Sequence, residues 1–251
     1  MVGDDAFGHE FQELMLQEKV DIQALRVTKE LPTGAGLIVK DSNAQNIIVV
    51  DMGANKLFSK EDVFNVKHLI NDSDVALAQL EIPIETALYG LRIAKSLGKK
   101  TVFNPAPARD LTQFDLSDVD YLTPNETEAR VALGLQPDAN ITNEQAAEKL
   151  LETGCKHVVM TLGDQGSAIY SKEGSKVIPP CKVEVVDSNG AGDSFNAALS
   201  VALAENKSIE EAVLFANATA ALCCMDWETV PSYKTREQVE LFYSDNTKRA
   251  K

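Results

Sequence analysis

The sequence predicts an α/β fold with a mainly parallel central sheet covered by helices. Short apolar runs at 75–80, 101–103, 120–122 and 157–162 alternate with helix-period runs at 84–97, 126–133 and 143–153. That alternation is the signature of consecutive βαβ units. The 251 residues suffice for one large α/β domain or two small ones, with a substantial buried core.

Composition narrows the partners. The net charge of −14, from 24 basic and 38 acidic residues, argues against a nucleic-acid backbone or an anionic membrane surface. Cys155, Cys181, Cys223 and Cys224 show no C-x-x-C spacing, and His9, His68 and His157 are scattered. Zinc is not expected, and a reducing compartment is. With no 18-residue apolar run and no signal-peptide pattern at Met1, the expected location is the cytoplasm.

Taken in order, Gly3-Asp4-Asp5 reads as the loop leaving a strand, with the strand itself expected before Met1. An amphipathic helix follows, with Phe7, Phe11, Leu14 and Met15 on one face. Runs at 24–28, 36–39 and 46–50, separated by turn material at 32–34 and 41–43, have antiparallel character. They read as an added flap, or equally as a hairpin covering a sheet edge. The expected division is an α/β core of 1–20 and 52–251 with a partial β lid at 21–51.

After the run at 157–162, residues 168–174 read as a hairpin. The glycines before it, Gly163 and Gly166, permit close approach to a ligand or serve the turn alone. Helices are expected at 209–225 and, after Pro231-Ser232, at 235–243. The basic tail of Lys248, Arg249 and Lys251 reads as solvated.

The stretch 183–203 carries the chemistry. A short strand with Val183, Val185 and Val186 is expected to run through Asp187-Ser188-Asn189 into Gly190-Ala191-Gly192-Asp193. A helix then places Phe195, Ala198, Leu199, Ala202 and Leu203 on one face. The first amides of a helix lack partners and carry roughly half a positive charge, so small residues there build an anion cradle. Asp193 in that cradle is either a helix cap or a base that takes a proton from a group attacking the bound anion. A lone GAGD string favours the cap. The polar residues at the other strand ends shift the balance: Glu81, Asn104, Asn125 with Glu128, and Thr161 with Gly163 all open onto the same rim, where α/β sheets bind ligands.

These motifs resemble those of the PfkB family of carbohydrate kinases. Asp187-x-x-Gly190-Ala191-Gly192-Asp193 is similar to the family's second signature, Asn125-x-x-Glu128 to its N-x-x-E motif, and Thr161-x-Gly163 to its nucleotide loop. Gln79-Leu80-Glu81-x-Pro83 and the stretch from Asn104 to Arg109 resemble its ribose-phosphorylating branch. The resemblance covers almost the whole chain in family order. It implies a ribokinase-like three-layer sandwich with a small β lid. It also implies transfer of the ATP γ-phosphoryl group to a pentose, D-ribose giving D-ribose 5-phosphate.

By the same resemblance, Asp193 is the base and also touches the sugar, and Gly190, Ala191 and Gly192 form the anion hole. Glu81 contacts the sugar, and Asn104 does so more loosely. ATP is held by Asn125, Thr161, Leu162, Gly163, Asp164, Gln165, Gly166, Gly192, Asp193 and Asn217, and Mg²⁺ by Glu128 through water. K⁺ falls on Asp187, Asn189, Cys223, Asp226, Glu228 and Ser232, several of them through carbonyls. A homodimer through the lid is a further implication.

Two departures stand out. A leading segment longer than one βαβ unit of roughly 30 residues has no counterpart here, so the expectation is a sugar site keeping only part of its contacts. An organellar targeting segment could have preceded it. Glu228-Thr229 stands where the family usually has Gly-Ala. Two functions therefore remain open: a sugar or nucleoside kinase of this family, and a non-catalytic nucleotide-binding or dimerising protein.

Overall fold

A computed structural model describes residues 1–40 and 46–249. The chain opens with β1 (Val2–Gly3) and α1 (Ala6–Gln17). Asp5 caps α1 by accepting the Gly8 amide at 2.8 Å. β2 (Val27–Thr28) lies parallel to β1. Gly3, expected in a loop, is thus part of a strand: Val2 N donates to Arg26 O, just before β2, at 2.9 Å, and Asp4 N donates to Thr28 O of β2 at 2.7 Å.

β3 (Ala35–Lys40) and β4 (Asn46–Asp51) form an antiparallel two-stranded sheet of their own. The turn expected at 41–43 between them, like Lys251 of the basic tail, lies outside the described residues. A 3₁₀ turn (Gly53–Leu57) leads into α2 (Lys60–Asn65) and α3 (Lys67–Asp72). Ser59 and Asp62 cap α2 reciprocally, a Ser-x-x-Asp pattern visible in the sequence.

The alternating region follows: β5 (Val75–Ala78), α4 (Ile84–Ser96), β6 (Lys100–Phe103), β7 (Tyr121–Leu122), α5 (Glu126–Ala132), α6 (Asn143–Leu151) and β8 (His157–Thr161). The hairpin is β9 (Ser167–Ser171) with β10 (Gly174–Ile178), and the last helices are α7 (Ala191–Ala204), α8 (Ile209–Cys223) and α9 (Arg236–Arg249). The main sheet runs β10-β9-β8-β7-β6-β5. β5 to β8 are parallel, and β9 and β10 turn antiparallel. The expected mainly parallel α/β sheet is what forms.

Successive strand residues point to opposite faces, which divides the core in two. Phe103, Leu122, Val158, Met160, Ala168 and Tyr170 face Leu91, Ala129, Ala147 and Leu150 from α4, α5 and α6. Val102, Val159 and Ile169 face Phe195, Leu199, Leu203, Val213 and Ala216 from α7 and α8, with Val239 of α9 behind. The result is three layers, helix on sheet on helix. No helix among the described residues is long and apolar enough to cross a membrane.

The strand expected around Val183–Val186 does not form. Pro179 and Pro180 end β10 because they have no amide to continue a ladder. The chain then crosses the end of the sheet as an irregular strap, and the Val186 amide bonds to Cys224 O at 2.8 Å instead of to a strand. Val183 and Val185 face a cavity rather than a core, which is why an apolar run here is not a strand.

Leu199 is fully buried in the second layer, whereas Leu37 on β3 is 65% exposed. Leu199→Ala is expected to lose about 2–5 kcal/mol in urea unfolding. Leu37→Ala should stay within about 0.5 kcal/mol of the unaltered protein.

Candidate active site

All four parallel strands end on the same edge of the sheet, and α7 begins there. Gly190 starts it with φ of +76°. A Cβ at Gly190 would meet Thr229 Cγ2 at 2.7 Å and Tyr233 Oη at 2.9 Å, so glycine is required both for the turn and for the close approach of the 229–233 segment. A Cβ at Gly192 would meet nothing within 4 Å, so the outer side of the first turn is open to a ligand. The Ala191 amide is drawn back to Ser188 O at 3.3 Å. The amides of Gly192 and Asp193 are therefore the ones best placed to hold an anion.

Beside that turn lies a cavity of about 640 Å³. The sequence-expected Asn125, Thr161, Gly163, Asp164, Gly166, Ala191, Gly192 and Asn217 all line it. Thr161 and Asn125 meet in a parallel bridge, and the Thr161 amide donates to Pro124 O at 3.0 Å. Leu162 and Gln165 belong to the same loop but do not line the cavity. The Leu162 amide closes the loop on Gly166 O at 2.8 Å, and its side chain packs into the first core layer. Asn217 is buried at the wall with its amide engaged: it accepts from Ser167 Oγ at 2.6 Å and donates to Pro179 O at 3.2 Å.

The strap supplies walls that the sequence reading missed, among them Cys181, Lys182, Val183 and Val185, with Cys224 opposite. The signal available was Pro179-Pro180, which ends a strand and sends the chain across the sheet end.

Asn125 and Glu128 form a reciprocal capping box at the start of α5. Glu128 N donates to Asn125 Oδ1, and Asn125 N donates to Glu128 Oε2, both at 2.8 Å. The N-x-x-E spacing is thus a structural device that also aims a carboxylate at the rim. Burial, and secondarily the nearby Asp193 charge, push the Glu128 carboxyl above its ordinary range, although the Asn125 amide pulls the other way. Glu81 is raised for the same two reasons, burial first and Asp193 second. The three acids therefore share one electrostatic environment, with Asp193 the common neighbour.

Asp193 is exposed on the first turn of α7, and its Oδ1 accepts Gln79 Nε2 at 3.2 Å. Tyr233 lies behind it, its hydroxyl pushed up to about 12 by burial and then by the Asp193 charge. Asp193 and Ser194 also line a second cavity of about 390 Å³ on the other side of the helix start.

Beneath Gly190, the loops around 187–190 and 223–232 are knotted together. Buried Asp187 accepts the amides of Asn189 at 3.0 Å and Glu228 at 3.2 Å. Cys223 Sγ lies 3.0 Å from Ser232 Oγ, and that hydroxyl donates to Thr229 O at 2.7 Å. Asp226 pairs with Lys234. Glu228 holds φ of +68°, the backbone region that glycine adopts most easily. All six sequence-expected cation residues fall in or beside this knot. Among the described residues, no group of three or more His, Cys, Asp and Glu side chains could hold a metal ion.

A family model described as pfkB family carbohydrate kinase matches residues 1–236. The chain belongs to that family. As a pfkB-family carbohydrate kinase, it is an enzyme. It is 34% identical to the ribokinase of Haemophilus influenzae over 237 residues, which are 94% of this chain and 78% of that protein. It is 36% identical to the ribokinase of Mus musculus over 247 residues, 96% of this chain and 76% of that one. Its fold matches the structure of Arabidopsis thaliana ribokinase complexed with ribose and ATP, with a TM-score of 0.81 and 28% identity. That match covers 96% of this chain and 80% of the other.

A carboxylate raised in the fold contributes stability that is present below the ordinary carboxylate range and lost as pH rises through the raised value. Glu128→Gln keeps an acceptor for the Asn125 amide while removing the charge. Its melting temperature is expected to match the unaltered protein at about pH 4 and to exceed it at about pH 7. A lower value at neutral pH would contradict the assignment.

Proposed function

We propose that this kinase transfers the γ-phosphoryl group of ATP to the primary hydroxyl of D-ribose, giving D-ribose 5-phosphate. The observation that carries the reading is Asp193 on the first turn of a glycine-opened helix, beside a cavity of about 640 Å³. Support for the substrates comes from relatives at 34% and 36% identity that are ribokinases, and from the related Arabidopsis enzyme complexed with ribose and ATP.

Phosphoryl transfer needs positioning and charge stabilisation more than covalent help. The cavity between Asn125, the 161–166 loop and the strap takes the nucleotide, with the phosphates directed at α7. The amides of Gly192 and Asp193, with the helix dipole, stabilise charge that grows on the transferring group. Gln79 occupies Asp193 Oδ1, which leaves Oδ2 to accept the proton of the attacking hydroxyl. Glu81, on the same rim, contacts the sugar.

Glu128 is the residue that would hold Mg²⁺ through water: its carboxylate is aimed by the capping box and sits near Asp193. Mg²⁺ there would neutralise phosphate charge. K⁺ would fall at the knot around Asp187, where that carboxylate lies among the carbonyls of Asn189, Cys224 and Thr229. A second copy would dock on the β3–β4 hairpin, where Leu37, Ile38, Val49 and Val50 are exposed.

Asp193→Asn is expected to keep ATP binding, read by calorimetry, and to lose at least about 10²–10⁴-fold in turnover. The assay uses ATP, Mg²⁺ and K⁺ across D-ribose, 2-deoxyribose, fructose and nucleosides. ATP binding with no sugar phosphorylated by the unaltered protein would overturn the reading, and a full-rate Asp193→Asn would remove that residue from the mechanism.

A further inference from the structure

Four polar side chains behind Asp193 form a closed circuit. Gln79 Nε2 donates to Asp193 Oδ1 at 3.2 Å and to Asn104 Oδ1 at 3.1 Å. Asn104 Nδ2 donates to the main-chain oxygen of Thr123 at 2.9 Å. The Thr123 hydroxyl lies 2.6 Å from Asn196 Oδ1, to which it donates. Asn196 Nδ2 donates to Gly192 O at 2.9 Å, one residue before Asp193. The circuit therefore leaves the α7 start through the Asp193 carboxylate and returns to it through the Gly192 carbonyl.

The members sit just beyond the ends of β5, β6 and β7 and on the second turn of α7. Asn104, Thr123 and Asn196 are buried, and Gln79 is half-buried. Burying that many polar groups is costly unless each is paired, and no buried side-chain nitrogen or oxygen among the described residues is left without a partner.

The polarity of the circuit is fixed from both ends. A carbonyl can only accept, so Thr123 O forces the Asn104 amide to present nitrogen there and oxygen toward Gln79. Gln79 must then present its NH₂ group. One of its hydrogens goes to Asn104, and the other points at Asp193. Flipping Gln79 would place its oxygen against two acceptors. From the other side, Gly192 O forces Asn196 to present nitrogen, which turns its oxygen to the Thr123 hydroxyl. A network that served packing alone could run in either sense. This one can only deliver a donor to Asp193 Oδ1.

We propose that Gln79, Asn104, Thr123 and Asn196 act as a positioning relay that locks the Asp193 carboxylate and the first turn of α7 to the strand ends. The proposal rests on the reading of Asp193 as the base. None of the four touches the reacting atoms through this circuit; they act through Asp193 and Gly192. The physical stake is orientation: misplacing a reacting group by about 1 Å can cost about 10²-fold in rate.

The test compares Thr123→Val, which keeps the shape and loses the hydroxyl, with Thr123→Ser, which keeps the hydroxyl. Thr123→Val is expected to lower kcat about tenfold or more with the KM for ATP within about twofold of the unaltered protein, and Thr123→Ser to recover most of the loss. Gln79→Met, at a half-buried position, keeps the proposal testable if Thr123→Val does not fold. It should lower kcat about tenfold in the otherwise unaltered protein and less than about twofold in the Asp193→Ala background.

Equal losses in both backgrounds, or a raised KM for ATP with unchanged kcat, would overturn the relay. If the unaltered protein phosphorylates no sugar, the base assignment fails separately. Hydrogen exchange then decides the relay. Gln79→Met or Thr123→Val should speed exchange across residues 190–197 while leaving 209–223 unchanged, and unaltered exchange at 190–197 would refute it.

Discussion

Gly190 turns the chain through φ of +76° with Thr229 and Tyr233 pressed against it, and the chemical features of the molecule depend on that turn. It starts α7 at the carboxyl end of the parallel strands. It leaves the side of the first turn at Gly192 open, beyond the Ala191 amide that is drawn back to Ser188 O. It also puts Asp193 on the first turn rather than farther along the helix. The same contact presses the 229–233 segment onto the helix start, so the knot around Asp187 and the anion cradle are built as one piece. A helix that began two residues later would keep its packing against β5 and β6 and lose the cradle.

The acids around the cradle are arranged against the usual preference of a fold. Glu81 and Glu128 are both raised by burial, and both are raised further by Asp193. Repulsion of that kind is tolerated where a ligand relieves it, and perturbed carboxylates on a rim are a mark of functional sites. The capping box at α5 shows how the chain holds one of them in place: the bonds that satisfy the helix start also fix the direction of Glu128. The helix-start amides supply compensating positive charge, which a surface of net charge −14 does not.

Much of this was legible in the sequence because it is local. Alternating apolar runs gave the order of strands and helices, and the glycine turn before a helical stripe gave the start of α7. The wrong expectation of a strand at Val183–Val186 has a physical reason: an apolar triplet reads alike whether it faces a core or a ligand cavity, and only Pro179-Pro180 hinted at the strap. The Val2–Gly3 strand was missed because two residues carry no period. The relay was invisible for a different reason. Gln79, Asn104, Thr123 and Asn196 lie 25 to 114 residues from their partners along its longer side-chain links, and nothing in a linear pattern pairs them. Asn104 was noted only as a strand-end polar residue, and Thr123 and Asn196 carried no signal at all.

The central claim is that the first turn of α7 receives the phosphoryl group that is transferred. It is tested most directly by following backbone amide resonances while a non-hydrolysable ATP analogue or ADP is added. Both nucleotides should move the resonances of Thr161, Gly163 and Gly166. Only the analogue, which carries the third phosphate, should move Gly192 and Asp193. If Gly192 and Asp193 stay still with both ligands while the 161–166 loop responds, the helix start is not the phosphoryl site.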